Sequence, residues 1–527
     1  MTMSAHVDSF CADNLPPHDQ WPVLLPLDYP SGLNCSVELL DRTIDRLGGD
    51  RSAVVSDDAR WTYRELHDHV QRISRVLVEW GVQPGNRVLL RSPNNAWLMA
   101  SWLAVLRVGG VVVTTMPLLR HGELEKVVDI AQVQFALVDH RFLDEWNGFD
   151  CPTIVVGGES QDSLASRCAS TEPWTGFVET AADDISLLAF TSGTTGKPKA
   201  TMHTHADVLA IADTFSRTMV KPTSDDVFAG SPPLAFTFGL GGLVVFPLRA
   251  GASTVLLESA SPAALLKAIA EYGVTCLFTA PTAYRAMLAD MTSGGRHDLS
   301  SLRRCVSAGE TLPEATWRAW FEATGIRLID GIGATEMLHI FISAADDDIV
   351  PGATGRPVPG YEAVVVDDDF QPVDSGVPGR LAVRGPTGCR YLRDERQSVY
   401  VQHGWNVTGD VYTVDAGGVY RYVARGDDMI VSSGYNIAAP EVEGALLQHD
   451  SVAEVAVVGE PDPDRGMVVS AYVVLREPAT AGDSLVVVLQ DHVKATIAPY
   501  KYPRRITFVS ELPKTATGKL QRFRLKN

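Results

Sequence analysis

The sequence predicts an α/β protein of several domains, and three observations support this prediction. The chain has 527 residues, more than one ordinary domain of roughly 150 residues. Short β-branched runs alternate with longer helical segments, a pattern typical of parallel sheets covered by helices. Apolar residues make up 45% and charged residues 21% of the chain, close to average globular usage. This composition excludes a disordered, collagen-like or coiled-coil protein.

The predicted strands of the parallel sheets are short apolar runs. They are Arg87–Arg91, Gly110–Thr115, Phe135–Val138, Thr153–Val156, Ser253–Leu257 and Cys276–Thr279. The nearest approach to a membrane span is Trp97–Leu119, but Arg107, two glycines and Pro117 interrupt it. We therefore expect a buried helix there, followed by a strand.

The pattern of predicted secondary structure changes twice towards the C-terminus. Between Gly355 and Gly385 the strands become shorter, with Gly, Pro and Asp turns, which predicts a small β-rich unit. Beyond Arg425 a compact unit of about 100 residues follows. Its predicted elements are a helix from Pro440, strands at 454–458 and 470–475, and a helix from about Asp483. The polar link 426–428 between them predicts two domains, residues 1–426 and 427–527.

The charge of the chain limits its partners. A formal net charge of −19 repels nucleic acid and anionic membranes, so neither is an expected partner. The C-terminus is the exception, because eight basic residues there face the single acid Glu511. This pattern leaves two interpretations open, a phosphate site or a solvated basic tail. The basic residues are Lys501, Arg504, Arg505, Lys514, Lys519, Arg522, Arg524 and Lys526.

The cysteines and the N-terminus favour a reducing cytoplasm. The seven cysteines are scattered and form no C-x-x-C pair, so neither a disulfide framework nor a zinc site is expected. The first residues, MTMSAHVDSF, lack the cationic and apolar regions of a signal peptide.

The strongest local signal is TSGTTGKPKA, Thr191–Ala200, directly after the apolar run Ile185–Phe190. A strand that ends in a loop of glycines and hydroxyl residues leaves backbone N–H groups free to bind a phosphate. Lys197 and Lys199 add positive charge. The loop is not a Walker A motif, because Thr191 and Pro198 stand where that motif needs glycine and Ser or Thr.

This decapeptide resembles the signature of the adenylate-forming superfamily, which includes acyl-CoA synthetases, adenylation domains of peptide synthetases and firefly luciferases. Further motifs of that family follow in order: Pro232–Gly242, Ser307–Glu310, Asp330–Glu336, Thr408–Asp410, Ala424–Glu443 and Pro513–Arg522. The resemblance implies a large N-terminal domain of two α/β sheets with a small β-barrel-like subdomain. A hinge joins this domain to a small α+β C-terminal domain.

The same resemblance implies the nucleotide site. Adenine would contact the residues assigned to it at the end of this paragraph. Thr335 would contact the α-phosphate. Glu336 would bind Mg²⁺, since a hard cation needs oxygen ligands. Ala200, Ile332 and Ala424 depart from the commonest family residues. The cofactor-binding residues implied are Thr191, Ser192, Gly193, Thr194, Thr195 and Lys199 for phosphate, Gly309, Glu310, Gly331 and Ile332 for adenine, Asp410 and Arg425 for ribose, and Asp330 in the same nucleotide-binding segment as Gly331.

Three more positions carry the implied chemistry. Lys519 is the catalytic lysine of adenylation, a movable ammonium that stabilises the anionic transition state. Asp427 is the hinge, and Gly434 lies in the loop that lines the pantetheine tunnel of CoA. An acid would first form an acyl adenylate from ATP. Rotation about Asp427 would then let the thiol of CoA displace AMP.

The segments MHTHADVLAIADTF and PPLAFTFGLGG are very similar to benzoate and 2-aminobenzoate CoA ligases within the superfamily. They imply a flat pocket for a small aryl acid, with Phe236 as its gate. Thr237 or Tyr284 could form a hydrogen bond with an ortho amino or hydroxyl group of the substrate. Either side chain could equally form its hydrogen bond with the protein backbone. His203 and His205 are taken as structural. The implied pocket residues are Phe236, Thr237, Phe238, Gly239, Tyr284, Ala308, Gly333 and Met337.

Alternative functions stay open at this point. An aryl-AMP ligase that loads a carrier protein, or a medium-chain acyl-CoA ligase, would share every nucleotide motif. A catalytically silent nucleotide-binding paralogue is disfavoured, because Glu336, Asp410, Arg425 and Lys519 are all retained. An oxidoreductase is disfavoured by the absence of G-x-G-x-x-G spacing. The oligomeric state is also open, with a homodimer as one candidate.

Overall fold

The computed structural model describes most of the chain. The described residues are 4–191, 198–426, 429–432, 435–462, 466–478, 481–497, 499–514 and 520–525. Within them, no helix has the length and apolar character needed to cross a membrane. The segment that came closest forms a helix, Ala96–Arg107, followed by a strand, Val111–Thr115, as predicted.

The first sheet has six strands in the order β6-β5-β3-β4-β7-β8. All neighbours are parallel except β7 and β8, which form an antiparallel pair. The predicted strands of this region are confirmed. The strands are β3 (Arg87–Arg91), β4 (Val111–Thr115), β5 (Phe135–Asp139), β6 (Thr153–Val156), β7 (Ile185–Thr191) and β8 (Lys199–Thr204).

The second sheet has nine strands in the order β15-β14-β13-β12-β11-β9-β10-β1-β2. Its centre is parallel, whereas β2, β14 and β15 pair antiparallel with their neighbours. The strands are β1 (Ser52–Ser56), β2 (Ala59–Thr62), β9 (Val227–Gly230), β10 (Ser253–Val255), β11 (Cys276–Thr279), β12 (Arg304–Ser307), β13 (Leu328–Gly333), β14 (Ile340–Ser343) and β15 (Arg356–Pro357).

Both sheets share one hydrophobic core. Val88 and Leu90 of β3 face this core together with Phe228 and Phe278 of the nine-stranded sheet. Leu89, which points to the other side of β3, belongs to a separate core. Apolar side chains therefore cover both faces of the central strands, as parallel sheets require. This explains why the strands are continuous apolar runs instead of alternating ones.

Helices fill the space between and outside the sheets. The longest, α4, begins with a capping box in which Thr62 and Glu65 satisfy the first backbone N–H groups. The helices are α1 (Phe10–Asp13), α2 (Cys35–Leu39), α3 (Asp41–Leu47), α4 (Tyr63–Glu79), α5 (Ala96–Arg107), α6 (His121–Ala131), α7 (Leu164–Ala169), α8 (His205–Ile211), α9 (Thr237–Leu240), α10 (Phe246–Ala250), α11 (Pro262–Tyr272), α12 (Pro281–Thr292), α13 (Glu314–Thr324), α14 (Gln397–Tyr400), α15 (Ala439–Leu446) and α16 (Asp483–Thr496).

Two smaller β units complete the chain. The predicted β-rich unit is a five-stranded antiparallel sheet, and the C-terminal unit combines five strands with α15 and α16. The fold class, α/β with a large N-terminal and a small C-terminal domain, is confirmed. Asp427 lies outside the described residues, so the hinge stays a prediction. The strands are β16 (Glu362–Val366), β17 (Gly379–Arg384), β18 (Val401–Gln402), β19 (Trp405–Val414) and β20 (Tyr420–Arg425), then β21 (Met429–Ser432), β22 (Tyr435–Ala438), β23 (Val452–Asp462), β24 (Gly466–Leu475) and β25 (Arg505–Phe508).

Candidate active site

A buried ion pair lies where the predicted phosphate loop returns to the sheet. Thr191 at the end of β7 pairs in register with Lys199 at the start of β8. The ammonium of Lys199 lies 2.9 Å from Oε1 of Glu336. The hydroxyl of Tyr391 accepts a hydrogen bond from Lys199 and donates one to the same carboxylate oxygen. Two predicted site residues are therefore in contact, and a third that the sequence analysis missed joins them.

The surroundings of Glu336 keep its carboxyl ionised although the side chain is only 6% exposed. Burial by itself would raise the pKa of Glu336, but Lys199 and the hydrogen bond from Tyr391 outweigh burial and hold that pKa below its ordinary value. A buried carboxylate with one cationic partner can bind a metal cation once that partner moves to a phosphate. Within the described residues no cluster of three or more His, Cys, Asp or Glu could hold a metal.

A histidine on β8, the strand that also carries Lys199, holds the backbone of Thr335. Nε2 of His203 donates to the Thr335 carbonyl oxygen at 2.8 Å. Nδ1 of His203 lies 3.8 Å from Asp207, which also accepts a hydrogen bond from Arg390 at 3.2 Å. His205 is a different case, since its Nδ1 contacts Cys35 at the start of α2. The placement of both histidines agrees with a structural role, and His203 supports the turn that carries Thr335 and Glu336.

The residues expected around adenine lie at the ends of β12 and β13. Gly309 has φ +90°, a conformation that favours glycine. Glu310 accepts a hydrogen bond from the Thr282 hydroxyl at 2.6 Å. A Cβ on Gly331 would lie 2.6 Å from a methyl carbon of Ile340, so only glycine fits there without a shift. Ile332 packs partly buried against the shared core.

Asp330 on β13 is an unusual carboxyl. Its Oδ1 is buried and has no hydrogen-bond partner among the residues the structure describes. Burial raises the pKa of Asp330 to about 7, and the nearby Ser307 side chain and Gly331 backbone offset only part of this rise. It borders a small cavity that Trp317 and Thr354 also line. An orphaned buried acceptor beside a cavity is suited to a ligand that brings a donor, such as an amino group.

The expected ribose residues are also in contact. Asp410 on β19 pairs across the antiparallel ladder with Arg425 on β20. Nη1 of Arg425 lies 3.2 Å from Oδ1 of Asp410. The Asp410 residue is buried, whereas Arg425 is exposed. A carboxylate held in this way can accept hydrogen bonds from vicinal hydroxyl groups.

The expected acyl pocket begins at α9. Phe236 stands just before that helix in an extended conformation, and Thr237 and Phe238 are its first residues. A Cβ on Gly239 would lie 2.2 Å from the Pro233 carbonyl oxygen, so glycine is required for this tight approach. The Phe238 ring lies 5.7 Å from the ring of Phe278. These aromatic faces make an apolar wall.

His339 belongs to this wall, and the sequence analysis missed it. Its ring lies 5.7 Å from Phe238 and 4.6 Å from Phe246, and only 2% of the residue is exposed. Neither ring nitrogen has a hydrogen-bond partner among the described residues. Burial lowers the pKa of His339 to about 3, so the imidazole is neutral at pH 7. In the sequence, the one feature that could have indicated a role for His339 is its position three residues after Glu336, in MLHI.

Tyr284 does not belong to the pocket, which corrects the expectation. The side chain is 0% exposed and packs edge-on against Trp320 in the core on the far side of the nine-stranded sheet. Its hydroxyl donates to the Val306 carbonyl oxygen at 3.0 Å, so the backbone alternative is correct. Ala308 and Met337 are buried in the shared core, and Gly333 approaches the His339 backbone closely.

The basic C-terminal residues largely pair with acids of their own domain. Lys501 contacts Glu441, Arg505 contacts Glu460 and Lys514 contacts Glu454, each within 2.6 Å. Arg522 forms a bidentate pair with Glu443, whose two oxygens each lie 2.8 Å from Nη2. These pairs weaken the interpretation of the whole cluster as one phosphate site. Ser192, Gly193, Thr194, Thr195, Gly434 and Lys519 lie outside the described residues, so their roles stay predictions.

Comparison with known proteins agrees with this arrangement. Residues 40–391 match the family of AMP-binding enzymes, and residues 441–519 match the AMP-binding enzyme C-terminal domain. The benzoate–CoA ligase of Thauera aromatica is 35% identical over 95% of this chain and 97% of its own length.

Two solved structures have the same fold. An anthranilate CoA ligase, AuaEII, in complex with anthranoyl-AMP superposes with a TM-score of 0.89 at 36% identity, over 94% of this chain and 97% of that one. A benzoate CoA ligase from Burkholderia xenovorans LB400 gives 0.87 at 32% identity, over 94% and 100%. The chain belongs to the AMP-binding enzyme family, the adenylate-forming superfamily that its motifs resemble. Within it, the protein is an acid–thiol ligase of the AMP-forming acyl-CoA synthetase class.

Asp330→Asn tests the unusual carboxyl. In the unfolded chain the Asp pKa is near its ordinary 3.8, whereas the folded protein raises it to about 7. The charged form therefore costs stability increasingly as the pH rises between these values, and the cost persists above them. Asn carries no charge, so we expect it to raise the melting temperature more at pH 8 than at pH 5. The exposed Asp369→Asn is the control. Equal gains at both pH values would contradict the burial of this charge.

Proposed function

We propose that the protein activates a small aryl carboxylic acid with ATP and transfers the aroyl group to CoA, releasing AMP and pyrophosphate. The observation that carries this proposal is the continuity of two sites along one turn. Glu336 in the Lys199–Tyr391 cluster is followed three residues later by His339 in the aromatic wall. A nucleotide phosphate site and an apolar ring site at this spacing suit an aroyl adenylate.

The aromatic wall supports a ring as the acyl group. Phe238, Phe246, Phe278 and His339 pack against one another with ring centroids 4.6 to 6.0 Å apart and form one apolar aromatic cluster. Phe238 is the partly buried member of this cluster, and its ring could pack against a planar aryl group. The named relatives act on benzoate and anthranilate. We infer that 2-aminobenzoate or salicylate is the substrate, and that the neutral imidazole of His339 faces the ortho substituent.

The first half-reaction needs the chain to orient two anions. An oxygen of the aryl carboxylate attacks the α-phosphorus of ATP, and the bond from that phosphorus to the bridging oxygen of pyrophosphate breaks. Lys199 and the loop after Thr191 would hold the leaving phosphates. The ammonium of Lys519 would stabilise the charge that develops between carboxylate and phosphate. Mg²⁺ at Glu336, when bound, would offset phosphate charge.

The second half-reaction needs a different face of the C-terminal domain. The thiol sulfur of CoA attacks the aroyl carbonyl, AMP leaves, and the thiol proton passes to solvent. Rotation about Asp427, between domains 1–426 and 427–527, would remove Lys519 and bring the Gly434 loop to the site. No nucleophile on the protein is needed in either step.

Product mass spectrometry tests the proposal directly. The protein is incubated with ATP, Mg²⁺ and CoA, and with 2-aminobenzoate, salicylate, benzoate or octanoate in separate reactions. We expect aroyl-CoA and AMP, with an ortho-substituted acid preferred. Aroyl adenylate without thioester would indicate a carrier protein as the acceptor, and octanoyl-CoA as the main product would indicate a medium-chain ligase. No product from any acid would reject the proposal.

Lys519→Ala should separate the two half-reactions. Removal of the ammonium is expected to slow aroyl adenylate formation by about 100-fold or more. A presynthesised aroyl adenylate should still react with CoA at close to the wild-type rate. Lys514→Ala is the matched control, because Lys514 pairs with Glu454 and has no assigned part in the reaction. Equal losses in both half-reactions would argue against the assigned role.

His339→Phe should change the preference among ring substituents. Phenylalanine keeps an aromatic ring in the wall but removes both ring nitrogens. We expect kcat/KM for 2-aminobenzoate to fall by about fivefold relative to benzoate, the scale of one neutral hydrogen bond. Benzoate is the internal control, since it has no ortho group. An unchanged ratio of the two values would show that His339 does not face the substituent.

A further inference from the structure

Tyr391 reaches the nucleotide site from a segment outside all the motifs that define it. Residues 390–392 run alongside β8 and form backbone hydrogen bonds with it. Met202 N–H donates to the Arg390 carbonyl at 2.8 Å, and Leu392 N–H donates to the Ala200 carbonyl at 2.9 Å. The Tyr391 N–H donates to the side chain of buried Gln397 at 2.8 Å. The backbone that carries this ring is thus held on both sides.

The hydroxyl of Tyr391 connects the two charges of the site. It accepts from the Lys199 ammonium and donates to Oε1 of Glu336, and the residue is only 1% exposed. The ammonium also lies 4.4 Å from the centre of the Tyr391 ring, a cation–π distance. A buried carboxylate needs donors to offset its lost hydration. Tyr391 supplies one donor that does not depend on Lys199.

This independence matters when a nucleotide binds. The Lys199–Glu336 contact at 2.9 Å must break if the ammonium is to bind phosphate and the carboxylate a cation. The hydroxyl of Tyr391 can keep the carboxylate in place throughout that exchange. We propose that Tyr391 is a positioning residue for MgATP that acts by holding Glu336 in place while Lys199 moves to the phosphates. This role rests on the proposed function, because it assumes that these two residues bind MgATP.

Tyr400 provides a matched control. It is a neighbouring tyrosine whose ring lies 5.8 Å from that of Tyr391, edge-on. Its hydroxyl is also buried but has no hydrogen-bond partner among the residues the structure describes. Tyr391→Phe and Tyr400→Phe each remove one buried oxygen from the same cluster, so a general loss of packing would affect both.

The test is direct binding of ATP by titration calorimetry, with Mg²⁺ and then with EDTA. We expect Tyr391→Phe to weaken MgATP binding by about tenfold, the scale of a hydrogen bond to a charged group. Tyr400→Phe should bind like wild type. Melting temperatures of both variants check folding. In steady-state assays, Tyr391→Phe should raise KM for MgATP and leave KM for the aryl acid unchanged.

A second comparison shows whether Tyr391 acts through Glu336. In the Glu336→Gln background, adding Tyr391→Phe should weaken MgATP binding by less than twofold, since the carboxylate it holds is already gone. A full tenfold loss there would overturn the role. So would wild-type MgATP binding by Tyr391→Phe. If the wild-type protein itself does not bind MgATP, the proposed function fails, and the role of Tyr391 fails with it.

Discussion

The buried ion pair between Lys199 and Glu336 is the interaction on which the site depends. The buried carboxylate of Glu336 has lost most of its hydration, so it needs both the partly buried ammonium of Lys199 and the hydroxyl of Tyr391. The three residues come from β8, from the turn after β13, and from the segment beside β8. The six-stranded sheet, the nine-stranded sheet and the chain that leads to α14 must therefore meet at one point. Misplacement of any of them would leave a buried charge without a partner.

The shared core makes this meeting possible. Val88 and Leu90 of one sheet and Phe228 and Phe278 of the other belong to a single cluster, which fixes the distance between the sheets. On that frame, His203 donates to the Thr335 carbonyl, and Arg390 donates to Asp207, which lies 3.8 Å from the other ring nitrogen of His203. The turn that carries Thr335 and Glu336 is thus supported at both residues. The same turn leads into β14 through His339, so the proposed nucleotide and acyl regions are neighbours along the chain.

The sequence predicted the elements better than the side-chain contacts. Strands such as β3, β6 and β11 could be located to the residue, because parallel strands buried on both faces are continuous apolar runs. The motifs predicted one site for Glu336, Asp410 and Arg425, and of these the structure shows Asp410 and Arg425 in contact. Tyr391 and Glu336 are 55 residues apart, and no local pattern links them. Tyr284 was assigned to the pocket wrongly, since the face of α12 that turns to the acyl region depends on packing against Trp320. The basic tail likewise needed the structure, which pairs Arg522 with Glu443.

We propose that one turn joins a nucleotide site to an aromatic acyl site. A crystal structure of the protein with a non-hydrolysable 2-aminobenzoyl adenylate analogue tests it most directly. We expect the ribose hydroxyls on Asp410, the phosphate mimic at Thr335, and the aryl ring packed against Phe238 and next to His339. An analogue whose ring lies away from His339, or whose ribose lies away from Asp410, would contradict it.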